Sequence, residues 1–371
     1  MVTGTRAEYG TLRSLLRALV ADTRVDLQLI VTGMHLLPRF GHTIDEIKAD
    51  GFAPSAVIPM QRGGDDPLDQ AAGLGRGVSA IAKYLQKART DIVVVLGDRI
   101  EAMAGALAAV TTGRILAHIH GGDVAQGDFD ESLRHAITKL AHMHFAATPA
   151  SGHRIIRLGE DRRRVSVCGA PGLDALRSVM AGMRPRPVTG RDSHALIIHH
   201  AHGRLAAVER RIATAVFSAV RAAGLRRTII YPNSDRGHAG VLRAISEHVR
   251  RYPAEVVVHR SLPRDEFLRE LVNARVLVGN SSCGLIEAPF AGTPSVNVGD
   301  RQHGREPGGP SVIHTSESVS SLRTAIRRAM ELHTRPGAAT VYGDGRAGAR
   351  IARVLIEMPL DPALLRKIIT F

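Results

Sequence analysis

The chain has 371 residues, 44% of them hydrophobic, which is enough for two domains with a core each. No apolar run is long enough to span a bilayer, so a transmembrane helix is excluded. Lysine and arginine number 49 against 35 acidic residues, a formal charge of +14, but the arginines are spread along the chain in short groups such as Arg162–Arg164 and Arg250–Arg251. With no Trp and 4% aromatics there is little for base stacking, so the excess reads as solvated surface plus a few phosphate-binding arginines, with neither nucleic acid nor membrane as a partner.

The start shows no basic region followed by an apolar stretch, so the reading is a protein without an export signal, cytoplasmic, with its two cysteines, Cys168 and Cys283, reduced. Neither cysteine has metal-ligand spacing.

In chain order, Thr3-Gly4-Thr5-Arg6 precedes an amphipathic helix expected at 11–21, with almost no strand before the glycine turn. The sheet is therefore expected to begin one strand short or to start upstream of Met1. Arg6 is placed to meet an anion at that helix N-terminus. Strands are expected at 25–32, 56–59, 91–96, 115–119, 144–147 and 165–168, with helices to about 50, at 67–88, 101–112, 130–141 and 149–158. Phe40 leads into the first of these helices. Such alternation indicates a parallel, doubly wound sheet.

The pattern breaks at 184–193, where prolines and glycine read as a linker, and then restarts. Strands follow at 195–199, 228–231, 254–258, 276–279 and 294–298, with a polar turn through Asn233, Ser234 and Asp235. Helices follow at 204–223, 263–273, 316–330, 345–356 and 362–370. The expected organisation is an N-terminal Rossmann-like domain over 1–183, a linker over 184–193 and a C-terminal Rossmann-like domain over 194–371, the last helices packing back on the first domain. Facing strand ends would then form a cleft. Gly-x-Gly-x-x-Gly after a strand is absent, which makes a dinucleotide cofactor a poor reading.

Ligands in open α/β sheets sit outside the carboxyl ends of strands. Asp98 follows one buried strand, and His118, His120, Gly121, Gly122 and Asp123 end the next. Asp130 and Arg134 open the following helix. Each has a plain alternative: a helix cap for Asp98, a core hydrogen bond for His118, surface ion pairs for Asp130–Arg134 and Glu131–His135. Their convergence favours acid/base chemistry, in which neighbouring carboxylates and imidazoles tune one another. His-x-His on one strand face could begin a metal site, but spacing supplies no third ligand, so metal is the weaker reading. In the second half, one histidine of His199, His200 and His202 is expected to contact phosphate or sugar. Gly279-Asn280-Ser281-Ser282 before a helix is suited to a diphosphate, with Glu287 one turn on for a ribose diol.

Taken together, Thr3-Gly4-Thr5-Arg6-Ala7-Glu8-Tyr9, Gly97-Asp98-Arg99, His118-x-His120-Gly121-Gly122, Asp130-Glu131-x-x-Arg134-His135-Ala136-Ile137-Thr138-Lys139, Gly279-Asn280-Ser281-Ser282-x-Gly284 and Gly299-x-Arg301-Gln302-x-Gly304-Arg305 resemble the UDP-N-acetylglucosamine 2-epimerases, in their hydrolysing, sialic-acid-pathway branch. The resemblance implies a GT-B-like fold and the conversion of UDP-N-acetylglucosamine and water into N-acetylmannosamine and UDP through a 2-acetamidoglucal. It implies no metal or nicotinamide, and a homo-oligomer (dimer or tetramer). It assigns acid/base work to Asp98 and Asp130, with Arg134 orienting the sugar or a carboxylate. Arg6 and His200 fall near the diphosphate, Ser281 and Ser282 on the phosphates, Glu287 on ribose, and His35 on the sugar or phosphate side. Asn233, Asp235, Asn280 and Arg301 join the UDP site. Some relatives have Glu where this chain has His120, so proton work here falls to His120 or Asp123. The short start also departs from the family. Alternatives are a UDP-2,4-diacetamido-2,4,6-trideoxyglucose substrate, the non-hydrolysing 2-epimerase, a GT-B glycosyltransferase and a non-catalytic nucleotide-sugar binder.

Overall fold

The computed structural model describes residues 1–38, 41–62, 67–124, 130–183, 193–233 and 235–370. Phe40, Ser234 and all of the expected linker but Ser193 lie outside the described residues. The chain divides into two compact units, Met1–Asp174 with Arg346–Phe371, and Ala175–Gly345.

In the first unit, β1 (Val2–Thr3), β2 (Ile30–Thr32) and β3 (Ala56–Ile58) form one parallel sheet. A second contains β4 (Ile92–Leu96), β5 (Ile115–Ile119), β6 (Met143–Ala146) and β7 (Val165–Val167). Because β1 lies beside β4, the order in space is 3-2-1-4-5-6-7, a doubly wound arrangement with its switch point between β1 and β4. The first sheet is therefore not a strand short: Val2 and Thr3 pair with Ile30 and Val31.

The apolar run of β4 is buried on both faces, as parallel sheets require. Val94 joins Leu12, Leu16 and Phe145 under α1 (Arg6–Val20) and α13 (Ala347–Glu357). Val93 and Val95 join Ile81 and Met103 under α3 (Pro67–Ala88) and α4 (Ile100–Thr111). Helices α2 (Ile44–Ala49), α5 (Asp130–Leu140), α6 (Pro149–Arg157) and α7 (Gly172–Ala181) complete the connections, the division between units falling within α7. Helix α1 begins five residues earlier than its periodicity predicts. Thr5 caps it by accepting Glu8 N–H at 3.3 Å, and the Glu8 carboxylate accepts from Gly4 N–H at 2.8 Å.

The second unit is one parallel sheet in the order β10-β9-β8-β11-β12-β13. Its strands are β8 (His194–Ile198), β9 (Arg226–Ile230), β10 (Val256–His259), β11 (Val276–Gly279), β12 (Ser295–Val298) and β13 (Val312–Thr315). Helices α8 (Ala206–Ala222), α9 (His238–Arg251), α10 (Arg264–Asn273), α11 (Cys283–Ala291) and α12 (Val319–Glu331) connect them. The switch point lies between β8 and β11. The helix expected at 362–370 is only a short 3-10 turn, Pro362–Leu365, followed by irregular chain. Pro362 can start a helix, but the segment has no buried face to hold one together.

Candidate active site

In the first unit, the carboxyl ends of β4 and β5 and the start of α5 carry one connected set of groups. Asp98 does not cap α4; the cap position is Arg99, without a side-chain bond. Its carboxylate pairs instead with Arg134, whose Nη1 donates to the His120 carbonyl at 3.3 Å. One guanidinium, 5% exposed, thus ties two strand ends together and aims the Asp98 carboxylate. Glu131 pairs with His135 at 3.0 Å as helical spacing predicts. Asp130 lies within electrostatic reach of Arg99 at the first position of α5.

His118 and His120 do not act as one face. His118 is buried and bonds the Gly97 carbonyl at 2.7 Å and the Thr138 hydroxyl at 3.2 Å. Burial pushes it down to about 3, so it is a neutral strut beneath the Asp98 turn. His120 lies beyond the strand at φ +63°. Its Nδ1 donates to Asp123 Oδ2 at 2.8 Å. Among the described residues no group of three or more His, Cys, Asp or Glu could hold a metal ion.

Arg6 opens α1 and pairs with Glu46 at 2.8 Å. His35 is fully buried, its ring nitrogens bonded to Thr3 at 3.2 Å and Thr43 at 2.7 Å. Both nitrogens are bonded within the first unit and burial lowers the ring to about 4, so His35 is an internal tie in this structure.

Two carboxylates here, Glu8 and Glu101, carry no role in the reading of the sequence. Glu101 is fully buried against Gly4 and Gly33, with Oε2 3.3 Å from Arg99 and no hydrogen-bond partner for Oε1 among the described residues. Glu8, the capping residue, is raised to about 8, chiefly by burial. The Thr-x-x-Glu spacing was a signal for Glu8; Glu101 offered none beyond its place in the helix.

In the second unit the switch point is clasped by Asn280. Its Oδ1 accepts His200 N–H at 2.7 Å and its Nδ2 donates to the His200 carbonyl at 2.9 Å. The Asn280 side chain is therefore spent on holding β8 to β11, while its carbonyl accepts from Gln302 at 2.8 Å and Arg301 at 3.3 Å. Gly279 sits at φ +152°, where a Cβ would stand 1.9 Å from the Ile198 carbonyl, so only glycine allows this approach.

The His200 Nδ1 accepts Asn233 N–H at 3.0 Å, and burial lowers the ring to about 3. The neutral ring then carries its proton on Nε2, a donor suited to an anion. His199 is buried and His202 faces Asp300 at 3.3 Å. Only His200 is built into the clasp.

Ser281 and Ser282 stand, partly exposed, at the N-terminus of α11. Arg301 pairs with Asp235 at 3.2 Å. Glu287 pairs with Arg264, which opens α10 and which the sequence reading did not single out. Cys283 and Cys168 are free and buried, their thiols pushed up to about 12 and about 11 by burial.

Two Rossmann-like parallel α/β units, each with polar loops at its switch point, define a GT-B-like fold. The chain is 35% identical over 371 aligned residues to UDP-N,N'-diacetylbacillosamine 2-epimerase (hydrolyzing) of Legionella pneumophila, covering 99% of this chain and 97% of that one. It is 32% identical to UDP-N-acetylglucosamine 2-epimerase of Neisseria meningitidis, covering 89% and 87%. Among solved structures, UDP-GlcNAc 2-epimerase of Methanocaldococcus jannaschii in complex with UDP-GlcNAc and UDP aligns with TM-score 0.78 at 20% identity, covering 95% and 98%. The Neisseria meningitidis enzyme bound to UDP-GlcNAc aligns with TM-score 0.77 at 16% identity, covering 96% and 99%. The profile of the UDP-N-acetylglucosamine 2-epimerase family matches residues 17–356, and the chain belongs to that family.

Proposed function

We propose that the protein is a hydrolysing 2-epimerase of a UDP-2-acetamido sugar, with UDP-N-acetylglucosamine as substrate and N-acetylmannosamine and UDP as products, serving the biosynthesis of nonulosonic (sialic-type) acids. The observation that carries this reading is the linked set of Asp98, Arg134, His120 and Asp123 at adjoining strand ends. It supplies proton acceptors and donors with fixed orientation, the requirement for moving a proton at a carbon centre.

In this reading a base of the first unit removes the C2 proton while the C1–O bond to UDP breaks, leaving a C1=C2 double bond. Water then adds at C1, and a proton returns to C2 from the other face. Asp98, Asp130 and His120 share the proton transfers, and Arg134 keeps the Asp98 carboxylate in place. In the second unit the serine pair at the N-terminus of α11 and the His200 Nε2–H hold the diphosphate, and Glu287 holds the ribose diol. Arg6 and Arg301 add positive charge for the departing UDP.

A second substrate is favoured by a specific observation. The relative that is 35% identical over nearly the full length is named for UDP-N,N'-diacetylbacillosamine. The same chemistry would apply to that 2,4-diacetamido sugar.

Proton NMR in D2O tests the reading with both sugars. Free UDP together with a 2-deuterated manno-configured sugar is the expected outcome, and the sugar that yields it is the substrate. Deuterated UDP-sugar without UDP release would instead identify a non-hydrolysing epimerase. Binding of UDP with no exchange on either sugar would leave a nucleotide-sugar binder.

A further inference from the structure

We propose that Ser151, on α6, is the third member of a Ser151–Asp123–His120 relay that fixes the imidazole of His120 as a proton carrier, Asp123 and Ser151 acting as positioning residues. The proposal rests on the function proposed above and deepens it. Ser151 Oγ donates to Asp123 Oδ1 at 2.7 Å, and Asp123 Oδ2 accepts from His120 Nδ1 at 2.8 Å. Both carboxylate oxygens are engaged by the chain itself, and Asp123 is 5% exposed. Asp123 is thus poorly placed to meet a substrate directly. It orients an imidazole whose Nε2 no described residue bonds.

The loop around this relay is built to hold it. His120 keeps its left-handed backbone through N–H donation to the Phe145 carbonyl at 3.0 Å and through Arg134 on its own carbonyl. Gly122, at φ +72°, lies so close to α6 that a Cβ would stand 2.3 Å from the Ser151 carbonyl. Arg154, one turn on, donates to the Gly122 carbonyl. Thr148 caps α6, accepting Ser151 N–H at 3.1 Å, with its hydroxyl 2.9 Å from that of Ser151. A hydroxyl, a carboxylate and an imidazole in series, each oriented by the one behind it, is the general arrangement by which a base is kept in one tautomer and one rotamer. Asp98 reaches the same loop from the other side through Arg134.

A purely structural role, with Asp123 merely balancing the N-terminus of α6, makes different predictions. In the relay, Ser151→Ala lowers kcat about tenfold, in the range seen when an orienting hydrogen bond is lost. KM and UDP affinity stay within about twofold, and the C2-deuterium isotope effect on kcat rises because proton abstraction becomes slower. Ser151→Thr, which keeps the hydroxyl, restores the rate.

Nitrogen-15 NMR of histidine-labelled protein reads the relay without turnover, with His120→Gln assigning the resonance. The wild-type ring is expected as the single Nδ1–H tautomer, and Ser151→Ala is expected to give a mixture. A wild-type Nε2–H tautomer, or a Ser151→Ala protein with unchanged tautomer and unchanged kcat, would overturn the proposal. So would a rise in KM and UDP Kd with kcat intact. If wild-type protein turns over neither sugar, the reaction assignment fails by itself, and the tautomer measurement still decides the relay.

Discussion

At the scale of single residues, the Asp98–Arg134 pair defines what a carboxylate must do here. The guanidinium is nearly buried and also bonds the His120 carbonyl, so it holds the carboxylate still while leaving it 20% exposed. Asp98→Asn keeps the shape and removes the charge. On the proposed mechanism it reduces turnover by at least about a hundredfold, the usual contribution of a positioned acid or base. UDP binding, assigned to the second unit in the proposed function, is expected to stay within a few-fold by calorimetry. Full activity in that variant would remove Asp98 from the reaction. Other residues serve as supports within the chain. His118 and His35 are neutral ties inside the first unit, and the Asn280 side chain is a backbone clasp. Sequence marks such residue types as reactive. Only burial and partners separate a reactive imidazole from one whose nitrogens are already occupied.

At the scale of elements, loops at switch points depend on strands approaching closely, and β8 and β11 do so at Gly279. A methyl group there would meet the Ile198 carbonyl, on a backbone that L-residues rarely adopt. Gly279→Ala is expected to destabilise the protein by about 2 kcal/mol or more, and to weaken UDP binding by loosening the Asn280 clasp. Urea unfolding and calorimetry check the two effects; a wild-type midpoint would show that the strands can part without loss. The strongly periodic elements α3 and β5 fall where the sequence places them. Three others, α7, α9 and β13, were not anticipated. Helix α9 begins at a left-handed Gly237 in place of a side-chain cap, and α7 follows a glycine-proline turn, so neither carries an ordinary start signal. Strand β13 is an edge strand with a polar end, His314-Thr315, which weakens its apolar run.

At the scale of the whole molecule, the buried imidazoles set the response to acid. Burial holds His35 and His199 at about 4 and His118 and His200 at about 3, all below the ordinary 6.5. Below pH 6.5 the unfolded chain takes up protons that the folded protein refuses. The contribution of these rings is therefore full above that value and is lost as pH falls toward about 4, by about 1.4 kcal/mol per pH unit for each proton involved. Urea midpoints at pH 7.5 and pH 5 should differ clearly, the lower at pH 5; equal midpoints would mean that these rings are not held neutral.

The sequence by itself determined the α/β alternation, the parallel doubly wound sheets and the motif loops, because periodicity, glycine turns and helix starts are local properties of the chain. It also carried the family resemblance. Tertiary structure alone decided that Val2–Thr3 is a strand paired with Ile30–Val31, and that Arg134 bridges two strand ends. It alone brought Ser151 to Asp123, 28 residues apart. Each of these is a contact between segments distant in sequence, set by packing and hydrogen bonding that no local pattern encodes.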